Sequence, residues 1–181
     1  SIRSMARPLA SAKLKGIFGD GFDYEAVRSK RVELMDNYVE KNGIEVKSGA
    51  KELLSFLKEN GYKVALATAT PPQRAERYLK AHDLYKYFDV TVSASMVSVG
   101  KPAPDIYLKA AEMLGLSPQN CVALEDSPNG IKSASSAGCV TVMVPDLDKP
   151  SNDIIPLLHG VADGLSDVKR ILRELEDCNI Q

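Results

Sequence analysis

Three stretches of the chain carry side chains whose types and spacing suit work on a phosphoryl group. The first is Val64-Ala65-Leu66-Ala67-Thr68-Ala69-Thr70-Pro71-Pro72, in which one hydroxyl follows an apolar run and a second precedes two prolines. Thr70 reads as a helix N-cap with Pro71 in the first helical position, and the exposed amides of such a start favour an anion. Plain capping without a ligand is the competing reading. The second is Gly100-Lys101-Pro102-Ala103-Pro104-Asp105, where a glycine and two prolines make a stiff loop and Asp105 stands ready to cap the next helix. A lysine on such a loop is held more firmly than one on a helix face, which suits a cation that neutralises a phosphoryl group. It is not a P-loop, because Pro102 stands where Ser or Thr is needed. The third is Val122-Ala123-Leu124-Glu125-Asp126-Ser127-Pro128-Asn129-Gly130. Adjacent acids at the end of an apolar strand are costly unless a cation compensates them, and Mg²⁺ takes oxygen ligands from one or two carboxylates plus phosphate and water. Otherwise Ser127 is the cap, and Glu125 and Asp126 are favourable charges near a helix N-terminus. In chain order these are a hydroxyl, a fixed cation and paired acids, the groups that stabilise a transferring phosphoryl.

Such residues need elements to hold them. Apolar runs rich in β-formers predict strands over residues 63–67, 88–93, 121–124 and 140–144. Helical spacing predicts helices over 50–60, 72–82, 105–114, 128–137 and 166–176, with Gly61 stopping the first. The alternation argues for an α/β domain with a parallel sheet, whose ligands bind beyond the carboxyl ends of the strands. All three stretches fall at such ends. Residues 1–45 differ. They hold no convincing strand, and residues 23–41 read as one long helix with a broken apolar stripe of Val27, Val32, Met35, Tyr38 and Val39, ended by Gly43.

Composition bounds the rest. With 181 residues, 44% hydrophobic and 26% charged, the chain is too apolar for disorder and long enough for one domain with a small insertion. A net charge of −1 supplies no general field for nucleic acid or an anionic membrane, and no apolar run approaches the ~20 residues of a membrane span. Cys121, Cys139 and Cys178 show no metal-type spacing and fit reduced thiols, so a cytoplasmic setting is expected. His82 and His159 read as surface or packing residues.

Ala65-Leu66-Ala67-Thr68-Ala69-Thr70, Gly100-Lys101-Pro102-Ala103-Pro104-Asp105-Ile106-Tyr107 and Leu124-Glu125-Asp126-Ser127-Pro128-Asn129-Gly130-Ile131 together resemble the haloacid-dehalogenase-like phosphotransferase superfamily, in the branch of β-phosphoglucomutase and the phosphosugar phosphatases. The resemblance implies a Rossmann-like three-layer core with a parallel sheet plus a helical cap. Residues 1–46 would be a partial cap, and residues 47–181 the core. It implies that Thr68 hydrogen-bonds the transferring phosphoryl and Lys101 balances its charge. Asp126 would ligate Mg²⁺, with Glu125 assisting directly or through water, while Thr70 and Arg3 would contact a small phosphorylated metabolite, a sugar phosphate above all. The chemistry implied is in-line attack by an Asp carboxylate, giving an aspartyl-phosphate that water or a sugar hydroxyl accepts.

That nucleophile belongs to a D-x-D-G motif ending the family's first strand. The nearest string here, Gly19-Asp20-Gly21-Phe22-Asp23, lacks the spacing and reads as a loop between helices. The first strand is therefore expected to be absent, leaving unpaired edges on the strands that end at Thr68 and Leu124. With a start that is not Met, this leads to the expectation that residues 1–181 are a piece of a longer enzyme. Leu34 and Pro72 stand where β-phosphoglucomutase has a lysine and a polar side chain, so a general phosphatase stays open beside a mutase. So do a metal-independent dehalogenase, against which Glu125 and Asp126 argue, and a catalytically silent module that binds phosphate and Mg²⁺.

Overall fold

In a computed structural model, residues 5–178 are described. Two helices come first. α1 spans Arg7–Phe18 and begins with a proline in its first turn, a residue whose fixed φ suits a helix start and whose missing N–H is not needed there. Reading 19–23 as a loop between helices implies this helix but gives it no bounds. α2 spans Tyr24–Asn42; Asp23 caps it by accepting from the amide of Ala26 at 2.9 Å, and Gly43 at φ 74° ends it. The string 19–23 is the turn between these helices. α2 buries none of its residues, and Val27, Leu34, Met35 and Tyr38 lie exposed along it.

Strands and helices then alternate: α3 (Ala50–Glu59), β1 (Ala65–Thr68), α4 (Pro72–Ala81), β2 (Val90–Ser93), α5 (Asp105–Leu114), β3 (Val122–Glu125), α6 (Pro128–Ser136), β4 (Val140–Met143), β5 (Gly160–Val161) and α7 (Val168–Cys178). Each predicted helix and strand of this region is found to within a few residues. β5, two residues long, is too short to leave a periodic signal. All pairings are parallel, as helical crossovers require: Ala65 opposite Val90, Val122 opposite Val140, and Val142 opposite Gly160.

Helices cover both faces. On one, α5 packs Ile106 and Ala110 against Val92, Ala65 and Ala67, and Ala134 of α6, with Ala137 just past its end, packs against Ala123 and Cys139. On the other, Leu53 of α3 with Val168, Ile171 and Leu172 of α7 packs against Val142, Val144 and Leu124. Burial on both faces explains why β4 reads Val-Thr-Val-Met rather than alternating with charged residues.

The strands form two sheets, not one: β1 with β2, and β3 with β4 and β5. Val64 O accepts from Asp89 and Val90, so the backbone groups of 64, 66 and 68 face β2, and those of Ala65 and Ala67 face away from it. Cys121 O and Glu125 O accept from Val140 and Val144, so Val122 and Leu124 likewise point away from β4. These two free edges border one slot, lined by Ala65, Ala67, Val122 and Leu124.

Candidate functional site

The loop after β2 carries Lys101 to the end of β3. A turn closes it, with Ala103 N donating to Gly100 O at 3.2 Å, and the Lys101–Pro102 peptide within it is cis. Asp105 braces the same loop by accepting from Val99 N at 3.2 Å. This corrects the expectation that Asp105 caps α5: Pro104 already has helical torsions (φ −75°, ψ −11°) and occupies the cap position, and Asp105 is the first helical residue. The carbonyl of Lys101 accepts from Ala6 N at 2.9 Å, which ties the segment leading into α1 to this loop.

The Lys101 ammonium pairs with Glu125 Oε1, the Tyr107 hydroxyl donates to the same oxygen, and Lys101 Nζ lies 3.4 Å from the Tyr107 oxygen and 5.0 Å from its ring centre. Glu125 Oε2 accepts from Ser127 Oγ and from Asp126 N, each at 3.3 Å. A buried carboxylate is tolerable only when compensated in this way. Ser127 Oγ also accepts from Gly130 N at 3.2 Å, so it caps α6 as expected while donating to Glu125. Gly130 is required here, because a Cβ at that position would overlap the Glu125 carboxylate. Burial, then the neighbouring Glu125 charge, pushes the Tyr107 hydroxyl well above its ordinary range, so it remains a donor. Tyr107 sits in a stretch whose pattern is visible in the sequence, but nothing in its type or spacing marked it as a partner of Glu125.

Thr68 ends β1 and accepts from Thr70 N at 3.0 Å, a turn that leaves the hydroxyl at the carboxyl end of the strand. Thr70 is not the cap of α4. Pro71 holds that position without a side-chain bond, at φ −55° and ψ 143°. The reason is the second proline: the ring of Pro72 keeps Pro71 out of helical torsions, so the helix starts one residue later than expected. Thr70 O instead accepts from Ser93 Oγ at 3.1 Å. Ser93, almost wholly buried at the carboxyl end of β2, escaped the sequence reading. A pocket of about 390 Å³ opens there, lined by Arg7, Ala69, Ser93, Ser95 and Lys101 among others. Arg3 lies outside the described residues.

Asp126 follows β3 immediately, so the two acids part ways: Glu125 turns onto Lys101 and Tyr107, and Asp126 continues past the strand end. Among the described residues no three His, Cys, Asp or Glu side chains gather into a metal-holding group. Glu125 and Asp126 are the adjacent carboxylates at this strand end, and a hard cation such as Mg²⁺ takes one or two protein carboxylates and completes its shell with phosphate and water. The thiols are poor nucleophiles: burial raises both Cys121 and Cys139, the latter to about 11. The side chain of Cys178 lies outside the described residues. On the far side of α4, Arg74 pairs with Asp36 of α2 at 2.8 Å beside a wide cleft that also reaches Arg77 and His82. No helix of the described residues is long and apolar enough to cross a membrane.

Comparison with known proteins adds to this geometry. The sequence profile of the haloacid dehalogenase-like hydrolases matches residues 11–138. The phosphorylated carbohydrates phosphatase of Thermotoga maritima is 40% identical over 124 residues, covering 68% of this chain and 50% of that protein. Hexitol phosphatase B of Escherichia coli is 40% identical over 97 residues, 54% of this chain and 44% of that protein. The chain thus spans about half the length of these curated relatives. Among solved structures, β-phosphoglucomutase from Clostridium difficile shares the fold with a TM-score of 0.76 at 23% identity, over 99% of this chain and 81% of that one. CbbY from Rhodobacter sphaeroides, solved in complex with phosphate, superposes with a TM-score of 0.68 at 26% identity, over 82% and 67%.

Proposed function

The chain belongs to the haloacid dehalogenase-like hydrolase family, and from that premise we propose that it carries the phosphate-handling part of an Mg²⁺-dependent phosphoryl-transfer enzyme acting on a small phosphorylated metabolite, a sugar phosphate above all. The carrying observation is the convergence of Lys101 and Glu125–Asp126, on a loop and a strand end far apart in sequence, through the buried contacts of Lys101 with Glu125 and Tyr107. Relatives that act on phosphorylated carbohydrates and hexitols support the substrate class.

In this reading the Thr68 hydroxyl donates to a phosphoryl oxygen, and Lys101, held by Glu125 and Tyr107, opposes the charge that grows on the group in transfer. Asp126 would hold Mg²⁺ directly, and Glu125, both of whose oxygens already accept from protein donors, would assist directly or through water. Bound there, Mg²⁺ would act as a Lewis acid on a phosphoryl oxygen. Thr70 and Arg3 contact the substrate, residues 1–46 form a partial cap over the core of residues 47–181, and the protein works in the cytoplasm. The nucleophile is an Asp carboxylate outside these residues, which attacks phosphorus in line. The phosphoryl–ester bond breaks, the leaving oxygen takes a proton, and the aspartyl-phosphate passes to water or to a sugar hydroxyl.

A second reading is favoured by one observation, that among the described residues no ladder joins β1 to β3: on its own the 181-residue chain binds phosphate and Mg²⁺ without turnover. Phosphate release from a panel of phosphosugars, measured with and without Mg²⁺, tests both. A version extended upstream is expected to release phosphate only with Mg²⁺, and the 181-residue chain to release none. Mg²⁺-independent turnover would sink the first reading, and turnover by the 181-residue chain would sink the second.

A further inference from the structure

Two thiols stand at the starts of neighbouring strands. Cys121 immediately precedes Val122 of β3, Cys139 immediately precedes Val140 of β4, and Val122 lies opposite Val140 in the parallel ladder. The amide of Val140 donates to Cys121 O at 3.0 Å, so the alignment of the ladder reaches back to the two cysteines. We propose that Cys121 and Cys139 are a redox pair, which a small-molecule disulfide such as oxidised glutathione converts into a reversible cross-strand disulfide.

The spacing permits the bond. Neighbouring strands lie about 4.8 Å apart, within the range of about 4.4–6.8 Å that a disulfide sets between Cα atoms. Residues opposite each other in a sheet send their side chains to the same face. Here that face is the one under α6, where Cys121 packs against the cluster of Ala123, Ala134, Ala137 and Cys139. Two thiols in the middle of a ladder would have little freedom to adjust, but these lie just outside it. Cys121 follows a short 3₁₀ turn (Pro118–Asn120) with extended torsions, φ −115° and ψ 132°, and Cys139 follows the turn at Gly138 that leads from α6 into β4.

The two sulfurs take different parts. Cys121 is partly exposed and Cys139 is buried, so exchange starts at Cys121. Its Sγ, which donates to Ser117 O at 3.4 Å, gives its proton to solvent and attacks one sulfur of oxidised glutathione. The S–S bond of the oxidant breaks, and one glutathione leaves as a thiolate. Cys139, once deprotonated, attacks the Cys121 sulfur of the mixed disulfide and expels the second. The protein pair gives up two electrons, the oxidant takes both, and the two released thiolates take up the two protons. Burial, followed for Cys139 by the neighbouring Cys121, raises both thiols, which makes the exchange slow at neutral pH.

The bond would close the chain from residue 121 to residue 139 into a ring that holds β3, α6 and the start of β4. A ring of this kind removes conformational freedom from the unfolded chain, so oxidation stabilises the strand–helix–strand unit that carries Glu125 and Asp126. It does so from the opposite end of β3, away from the contact of Glu125 with Lys101. Nothing in this pairing depends on the function proposed above.

The test uses the 181-residue chain carrying Cys178→Ser, which removes the third thiol, and needs neither Mg²⁺ nor a phosphate ester. The protein is equilibrated at mildly alkaline pH in mixtures of reduced and oxidised glutathione, once folded and once in urea, then quenched with acid for mass spectrometry and non-reducing peptide mapping. The expected product is a monomer lighter by two hydrogens, linked between the peptides of Cys121 and Cys139 and restored by dithiothreitol. Its equilibrium constant of formation is expected to be at least tenfold larger in the folded chain than in urea, and oxidation then raises the folding equilibrium constant by the same factor. A further Cys139→Ala change should stop the reaction at one glutathione on Cys121. The proposal is overturned by a folded chain that keeps both thiols, stops at the glutathione adduct or links into dimers. A constant no larger than in urea, or no adduct on Cys121 in the Cys139→Ala chain, overturns it too.

Discussion

Lys101 and Glu125 form a buried ion pair, their side chains 9% and 6% exposed, that bridges the two sheets of the core. Removing one partner strands the other charge in a poorly solvated place. Glu125→Gln is expected to lower stability by about 3–5 kcal/mol. The double change Lys101→Met with Glu125→Leu should recover most of that loss, because no charge remains unpaired. Urea midpoints of the three proteins measure the difference. A double variant no more stable than Glu125→Gln would mean the pair is not an isolated unit.

Tyr62 and Tyr107 are expected to ionise late. Burial, followed by the Glu176 carboxylate that accepts from its hydroxyl, pushes Tyr62 up to about 12. Burial, followed by the Glu125 charge, pushes Tyr107 well above its ordinary range. The unfolded chain ionises tyrosine near 10. Stability from these two groups is therefore full below about pH 10 and is lost as pH climbs through their folded values. Absorbance titration at alkaline pH should show a late phase that shrinks in Tyr62→Phe and again in Tyr107→Phe.

Asp126→Asn tests the metal expectation without requiring turnover. In the parent chain, Mg²⁺ should strengthen binding of inorganic phosphate, and EDTA should reverse the gain. In the variant the Mg²⁺ dependence should vanish while the metal-free affinity stays within about twofold. Isothermal titration with and without Mg²⁺ reads both quantities, and an undiminished Mg²⁺ effect in the variant would remove Asp126 from the role.

Asp89 anchors the entry to β1. It accepts from Lys58 Nζ at 2.7 and 2.8 Å and from Val64 N at 2.7 Å, and these bonds, Lys58 first, hold its carboxyl below the usual range. Its contribution is full above the unfolded value of about 3.9 and fades as pH falls through the lower folded value. The site is partly open to solvent, so Asp89→Asn should cost only about 0.5–1 kcal/mol. That deficit should be present at pH 7 and shrink toward pH 2, which thermal melts at the two pH values would reveal.

The core elements were legible because each obeys a local rule: apolar runs of strand length, helices begun by Pro or Ser and stopped by Gly. The grouping of Lys101 with the acids was legible for a different reason, since parallel strands send their carboxyl ends to one edge. What local rules could not supply were contacts formed across the fold. Tyr107 meets Glu125 only because α5 folds back beside β3, and Ser93 reaches Thr70 only through the pairing of β1 with β2. The caps at Thr70 and Asp105 were misjudged for two local reasons: Pro72 keeps Pro71 extended, and Pro104, whose fixed φ suits a helix start, takes the cap position ahead of Asp105.

The divided sheet has a consequence for how the molecule melts. Hydrogen-bond ladders propagate order from strand to strand, and among the described residues propagation stops between β1 and β3, leaving helix packing, the Lys101–Glu125 pair and side-chain bonds such as Tyr107 to Glu125 and Tyr62 to Glu176 to couple the halves. Each half is thus free to open with its own free energy, as a separate cooperative unit. A strand seated between them would add contacts to both at once and merge two transitions into one. Its contribution would be to the cooperativity of the whole, above whatever it adds to either part.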